Sequence, residues 1–419
     1  MAGHQYQSMD HILETSSHLV KTEMASGDTT QVTALFASLE DLVSDIRESW
    51  SLYPPQPSEW QDMEEGVRRE HVLERLEEAL GVTEEEADVA HLTYPSVGDW
   101  SNVHYHPGYG LLPAESPKIS FIAGDSLRKL LRILEVMRDL VINNKRTTKR
   151  DIYYQMFVEF TSQSEVDRLV SVAVSMLQVP RLMLGVMATS KGLVVGDLIY
   201  TNTEGVIVDC NLAVGGDTIP QDVTSITNIV THARLVLVVE KDAVFQRLLE
   251  EGILTSPALP PLIMVTGKGV PDLATRQLVR LLHLRATLPV LLLTDCDPYG
   301  LDIMLMYKFG SLAMTWAAEP LAVPTSVWLG LLPSDLSSLE IPVSSTKPHT
   351  EADTKKLWEV SKREYLAEET DNEELRQELE LMWSLGRKAE IQQVIESREE
   401  GFLTQQFLPW KIQKRAWIS

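Results

Sequence analysis

Four apolar runs in the second half of the chain, the first three each followed by a helix-patterned stretch, constrain the fold more than any other feature. ARLVLVVEKD precedes AVFQRLLEEG, PLIMVTGKG precedes PDLATRQLVRLLHL, LPVLLLTDCDPYG precedes LDIMLMYKFGS, and PTSVWLGLL follows. Strands that are apolar throughout and alternate with helices belong to a parallel sheet buried on both faces. The region 232–419 is therefore expected to be an α/β domain. It ends in a charged, helix-patterned stretch from about Glu351 to Arg398 and a basic aromatic tail, PWKIQKRAWIS.

In an open parallel sheet the carboxyl ends of the strands share one edge, and ligands bind there. Glu240 ends one strand; Asp295 and Asp297 end another, separated by Cys296. Three carboxylates with Lys241 as the nearby base would repel one another unless a cation intervened, and hard oxygen donors select Mg²⁺. A D-x-D pair alone also occurs on ordinary surface turns. Combined with a strand-terminal Glu, it fits a metal-dependent phosphoryl-transfer domain. Gly267-Lys268-Gly269 follows a strand but lacks the G-x-x-x-x-G-K-[ST] pattern, so no ATP site is expected. His104 and His106 lack a third ligand at zinc spacing and read as surface polar residues.

The 60 acidic and 37 basic residues, net −23, would discourage a nucleic-acid reading if evenly spread. They are not: residues 1–117 carry 22 acids against 5 bases, whereas residues 118–232 carry 12 of each. Within the neutral stretch Arg128, Lys129, Arg132, Arg138, Lys145, Arg146, Lys149 and Arg150 face only Glu135 and Asp139. Such a run can hold phosphates by counterion release, or it is a solvated helix face. Apolar residues at helical spacing predict a helix over 126–142, a shorter one around KRDIYYQMFVEF and a third over 163–177. LMLGVMA and GLVVGDLIY, separated by TSKG, predict a hairpin. Three helices and a hairpin is the order of a winged helix, a DNA-binding module.

The first 117 residues show an amphipathic helix (VTALFASLEDLVSDIRESW), a break at YPPQPSEW, an acidic helical stretch running to AHL, and SVGDWSNVHYHPGYGLLPAESP, which reads as a linker. This acidic extension is expected to dock partners, to shield the basic run, or simply to be solvated and partly disordered. Two cysteines without a C-x-x-C pair argue against disulfide or zinc frameworks and fit a reducing compartment. No basic-then-apolar leader or long uncharged apolar run is present, so neither secretion nor membrane spanning is expected.

In KRDIYYQMF two tyrosines close the basic run. A phenol is a poor nucleophile near neutral pH unless cations activate it or orient its target. Arg150, four residues before Tyr154, shares its face if the segment is helical. The alternative is that Tyr153 and Tyr154 are half-buried core residues.

Taken in order, RDIYY, TSKG, the Glu240 strand, GKGVPD and DCDPYG resemble the topoisomerase VI A subunit family, and within it the eukaryotic branch of meiotic recombination proteins that make programmed double-strand breaks. The resemblance covers about 118–419. With the boundary that the linker sets near Pro117, it implies a winged-helix domain (118–231) and a Toprim metal-binding domain with C-terminal helices (232–419), and it offers no counterpart for the acidic extension with linker (1–117). It implies Tyr154 as nucleophile, assisted by Arg150; Glu240, Asp295 and Asp297 as Mg²⁺ ligands; and Lys145, Arg146, Lys149, Arg150 and the wing lysine, Lys191, as DNA contacts. It further implies a homodimer acting on double-stranded DNA in the nucleus, whose partners are accessory meiotic proteins and a topoisomerase VI B-like subunit. Val270 stands where the family usually has an aromatic residue, and Tyr299 where it often has His.

Three rivals remain at this level. A Toprim nuclease or primase needs the acids but no tyrosine; a non-catalytic paralogue binds DNA or a partner; an ATP-dependent type IIB topoisomerase subunit reseals the break. The general base for Tyr154 is left open among metal-bound hydroxide, water and a side chain.

Overall fold

Two separate hydrophobic cores organise the chain, and the candidate chemistry is divided between them. The computed structural model describes residues 29–55, 63–83, 85–96, 98–187, 190–312, 315 and 321–419. Helix α1 (Thr29–Leu52) buries Leu35, Leu39, Leu42 and Ile46, spaced to form one stripe, and Leu35, Leu39 and Leu42 belong to the larger core. Helix α2 (Glu65–Ala79) instead lends Val72, Leu76 and Ala79 to the smaller one.

The helical pattern through TEEEADVAHL is not realised. After Gly81 the Glu86 carboxylate accepts from the Thr83 N–H at 3.0 Å, a single 3-10 turn follows, and strand β1 (His91–Pro95) begins. The stretch expected to be a linker folds as well: β2 (Val103–His106) and β3 (Gly110–Pro113) form a hairpin. Val103 and Leu111 enter the larger core. Histidine, glycine and proline masked this short alternation in the sequence. Strand β4 (Ile119–Ala123) then pairs antiparallel with β1.

The smaller core is made mainly by α3 (Gly124–Ile142), α4 (Lys149–Gln155) and α5 (Gln163–Leu177), with a two-residue strand β5 (Thr147–Thr148) before α4 and β6 (Val186–Met187) after α5. The hairpin expected across TSKG does not form. β6 pairs in parallel with β5, while GLVVGDLIY is split into β7 (Leu193–Gly196) and β8 (Ile199–Asn202), and β7 enters the large sheet. The split falls at Gly196, whose φ is 111° and where a Cβ would stand 2.3 Å from the Leu262 carbonyl oxygen. β8 joins β9 (Ile207–Asp209) and β11 (Ile226–Val230) in a three-stranded antiparallel sheet, with the short β10 (Asp217–Thr218) between them in sequence.

The large sheet has six strands in the order β10-β7-β13-β12-β14-β15, adding β12 (Leu235–Val239), β13 (Leu262–Thr266), β14 (Val290–Leu293) and β15 (Val327–Gly330). β12 runs parallel to both β13 and β14, and β14 to β15; β7 and β10 add an antiparallel edge. Every residue of the four parallel strands is buried, in keeping with their apolar sequences. Helices α6 (Asp242–Glu250), α7 (Leu273–Ala286) and α8 (Pro298–Phe309) follow β12, β13 and β14. Further on, β16 (Lys347–Pro348), α9 (Glu351–Ser361), α10 (Glu373–Leu385), β17 (Arg387–Lys388), α11 (Ile391–Glu396) and α12 (Leu408–Lys414) complete the chain, with β16 paired to β17 and α12 packed on α1. No helix among the described residues is long and apolar enough to cross a membrane.

Candidate active site: an acidic sheet edge and an exposed tyrosine

Because β12 and β14 are adjacent and parallel, the residues that follow them emerge side by side. Glu240 continues the ladder by donating its N–H to the Leu293 carbonyl at 3.0 Å, and its Oε2 accepts from the Asp295 N–H at 2.9 Å. Asp297 caps α8: its Oδ1 accepts from the N–H groups of Tyr299 (2.9 Å) and Gly300 (2.7 Å), with Pro298 at the first helical position. A Cβ on Gly300 would lie 2.3 Å from the Asp295 carbonyl oxygen, so the glycine of DCDPYG allows the helix to start this close to the acids.

The structure brings Glu240 and Asp295 together directly, but holds Asp295 by contacts that the sequence did not reveal. Residues 387–391 lie alongside it: Cys296 and Ala389 exchange backbone hydrogen bonds at 3.0 Å, and the Ile391 N–H donates to Asp295 Oδ1 at 2.9 Å. Lys241 Nζ stands 2.5 Å from Asp295 Oδ2 and 2.9 Å from Glu390 Oε2. Lys347 holds the other Glu390 oxygen at 3.0 Å. Glu390 had no signal in the sequence, since it reaches the site only through the packing of a segment about ninety-five residues downstream of Asp295. Lys241 was legible as the lone neighbouring base.

Burial, and then the neighbouring Asp295 charge, push the Glu240 carboxyl up to about 7. Burial likewise raises Asp295, against the pull of Lys241. Lys241 and Lys347 hold Glu390 down to about 2. Among the described residues no three acidic, histidine or cysteine side chains are arranged to coordinate one ion as they stand. The donor set nonetheless suits a hard divalent cation. All the donors are carboxylate oxygens, Glu240 and Asp295 are nearly sealed from water, and Asp295 Oδ2 receives no well-directed hydrogen bond despite the adjacent ammonium. Behind Glu240, the Gly269 N–H donates to the Glu240 carbonyl at 2.8 Å, so the GKG loop braces the acid. His106 stacks on Tyr109 and accepts from the Gly108 N–H, consistent with a structural role.

Tyr154 lies on α4, a helix of seven residues set by a capping box in which Thr148 and Asp151 bond reciprocally to each other's backbone. Ile152 and Met156 anchor this helix in the smaller core. Tyr153 is half-buried against that core, whereas Tyr154 is 63 % exposed. Arg150, one turn earlier, is exposed too. The basic run is largely spent within the molecule. Arg128 pairs with Asp88, Lys129 with Asp125 and Glu165, Arg132 with Glu135, Arg138 with Glu77, Arg146 with Asp222 and Lys149 with Asp167. Two of those acids, Glu77 and Asp88, come from the N-terminal region. Lys145 and Arg150 are exposed, with no ion pair among the described residues. Lys191 donates its N–H to Asp272 Oδ2 at 2.7 Å and its ammonium to the Lys268 carbonyl at 3.2 Å, which fastens the turn before β7 to the loop after β13.

The family model for the Toprim domain of the topoisomerase 6 A-subunit/Spo11 proteins matches residues 235–412, and one described as "Type IIB DNA topoisomerase" matches 125–186. Among curated proteins, the chain is 38 % identical over 336 residues to the Homo sapiens "Meiotic recombination protein SPO11", covering 78 % of this chain and 82 % of that protein. It is 36 % identical over 302 residues to the DNA topoisomerase 6 A subunit of Arabidopsis thaliana (71 % and 69 % covered). To the Drosophila melanogaster "Meiotic recombination protein W68" it is 34 % identical over 289 residues (69 % and 83 %).

Proposed function

Since this chain belongs to the topoisomerase VI A-subunit/Spo11 family, we propose that it is a DNA transesterase that makes the double-strand breaks of meiotic recombination. The observation that carries the reading is the contrast between the paired tyrosines: Tyr154 presents its phenol to solvent from a rigidly capped helix while Tyr153 leans on the core. In this reading the Tyr154 oxygen attacks a backbone phosphorus and the bond from phosphorus to the 3′-oxygen breaks. The phenolic proton is released and the 3′-oxygen takes up a proton, leaving a 5′-phosphotyrosyl link and a free 3′-hydroxyl. Arg150, one turn before Tyr154 on α4, would orient the phosphate under attack.

Glu240, Asp295 and Asp297 would hold Mg²⁺, which when bound supplies positive charge to the scissile phosphate. The tyrosine and the acids are anchored in different cores, and the tyrosine faces outward. This favours a homodimer in which Tyr154 of one protomer serves the acids of the other, one cut per strand. The α3–α5 unit would be the winged-helix DNA-binding part of 118–231, with Lys145, Arg146, Lys149, Arg150 and Lys191 near the backbone. Of these, Arg146 and Lys149 must first be released from an acid, whereas Lys145 and Arg150 have no ion pair among the described residues and the Lys191 ammonium rests on a backbone carbonyl. The partners are double-stranded DNA, accessory meiotic proteins and a B-like subunit; the nucleus is the place of action.

Incubation with DNA and Mg²⁺, nuclease digestion and mass mapping test the reading. A nucleotide-modified Tyr154 is expected, lost in Tyr154→Phe and retained in Tyr153→Phe. Cleavage that survives Tyr154→Phe would favour a metal-dependent nuclease instead. The similarity to a topoisomerase 6 A chain supports a second reading, breakage followed by resealing. Intact relaxed circles on addition of a nucleotide-binding partner would select it.

A further inference from the structure

The cluster around Asp295 contains a cation of its own, and its arrangement goes beyond a set of metal ligands. Four carboxylates (Glu240, Asp295, Asp297, Glu390) and two ammonium groups (Lys241, Lys347) stand together, a net charge of −2 when all are ionised, which one divalent ion would cancel. Asp295 cannot move. Its side chain is 1 % exposed, its Oδ1 is fixed by the Ile391 N–H, and its flanking residue Cys296 is bonded on both sides to Ala389. Lys241 is less enclosed: its side chain is 31 % exposed, and its ammonium is shared between Asp295 Oδ2 at 2.5 Å and Glu390 Oε2 at 2.9 Å. Its second partner, Glu390, is kept in place by Lys347.

We propose that Lys241 is the resident counter-ion of Asp295, yielding Asp295 Oδ2 to an incoming divalent cation and withdrawing onto Glu390, which serves as its docking position. The inference rests on the reading of Glu240, Asp295 and Asp297 as metal ligands. As the side chains stand, the lysine ammonium lies against the oxygen that the ion would use.

The two residues should then act on cation affinity in opposite directions. Lys241→Gln removes the competitor and should tighten binding about tenfold. Glu390→Gln removes the position to which the ammonium withdraws and should weaken binding by a comparable factor. Simple through-space charge would also give opposite signs, but the two effects would then add. Withdrawal onto Glu390 requires instead that Glu390→Gln weaken binding far less once Lys241 is already Gln than it does in the parent, a strong departure from additivity.

The experiment is Mn²⁺ binding to the full chain without DNA, read as free Mn²⁺ by electron paramagnetic resonance, with Mg²⁺ as competitor. It covers the parent, both single variants, the double variant and Asp297→Asn. Opposite shifts, and a second substitution whose effect is much smaller than it is in the parent, are expected. Shifts in the same direction, which a purely structural role would give, overturn the proposal, and so do additive shifts. If the parent binds no Mn²⁺ that Asp297→Asn abolishes, the metal-site reading fails and takes the proposal with it. Glu390→Gln, at a partly exposed position, gives a usable arm even if Lys241→Gln does not fold.

Discussion

The acidic sheet edge and the tyrosine helix solve opposite problems. The acids sit at the ends of two buried strands, and distant parts of the chain hold them through backbone hydrogen bonds. Tyr154 sits on seven residues of helix, fixed by its own cap and two apolar anchors, with its phenol in water. The first region stores electrostatic cost, because its carboxyls are pushed up by burial and by one another. An in-line displacement needs both kinds of region: a preorganised, charged site and a nucleophile free to be presented to a bulky polymer. Neutralising an acid should therefore cost activity without costing stability, whereas at the tyrosine the two should fall together.

The largest expected effect tests the first half of that contrast. Asp295→Asn retains the acceptor for the Ile391 N–H but removes a buried charge. Adduct formation should fall at least about 100-fold, while unfolding free energy stays within about 1 kcal/mol of the parent. A variant that keeps its cleavage, or that unfolds, breaks the comparison. Gly300→Ala comes next and should cost both properties, since its Cβ would meet the Asp295 carbonyl. A loss of about 2 kcal/mol in chemical denaturation, with reduced cleavage in the protein that remains folded, is expected.

The sequence made the four parallel strands and their polar ends legible because a strand buried on both faces must be apolar throughout, and β12 to β15 are. Glu240, Asp295 and Asp297 stood out for the same reason, as charges where apolar runs stop. What it concealed depends on contacts distant in sequence. Lys241 is visible beside Glu240, but its bridge to Glu390 exists only because residues 387–391 pack against Cys296. The failure of the TSKG hairpin has the same origin: β7 found a better partner in β13, and no local pattern reports which of two possible neighbours a strand will choose. The basic run shows the limit of counting charge, because Glu77 and Asp88, far from it in sequence, neutralise two of its arginines.

At the tyrosine, Thr148→Ala removes the side chain that caps α4. It should cost about 1 kcal/mol of stability. Adduct yield should drop with it, because a frayed α4 no longer sets Arg150 and Tyr154 on one face. Unchanged yield in a destabilised protein would mean that DNA itself orders the helix.

The smallest effect separates spent from available charge. Each phosphate contact that is lost should reduce the slope of log affinity against log salt by about 0.9. Arg150→Ala should show that reduction, since its guanidinium has no ion pair to give up among the described residues. Arg138→Ala should leave the slope unchanged, because Arg138 already faces Glu77 at 3.8 Å and Asp139 at 3.9 Å. Equal slopes for the two variants would mean that DNA strips the arginine from its acids, so that the N-terminal region acts as a shield exchanged for phosphate. Unequal slopes would mean that these pairs hold the fold, and that the basic run reaches DNA only at the end nearest the tyrosine.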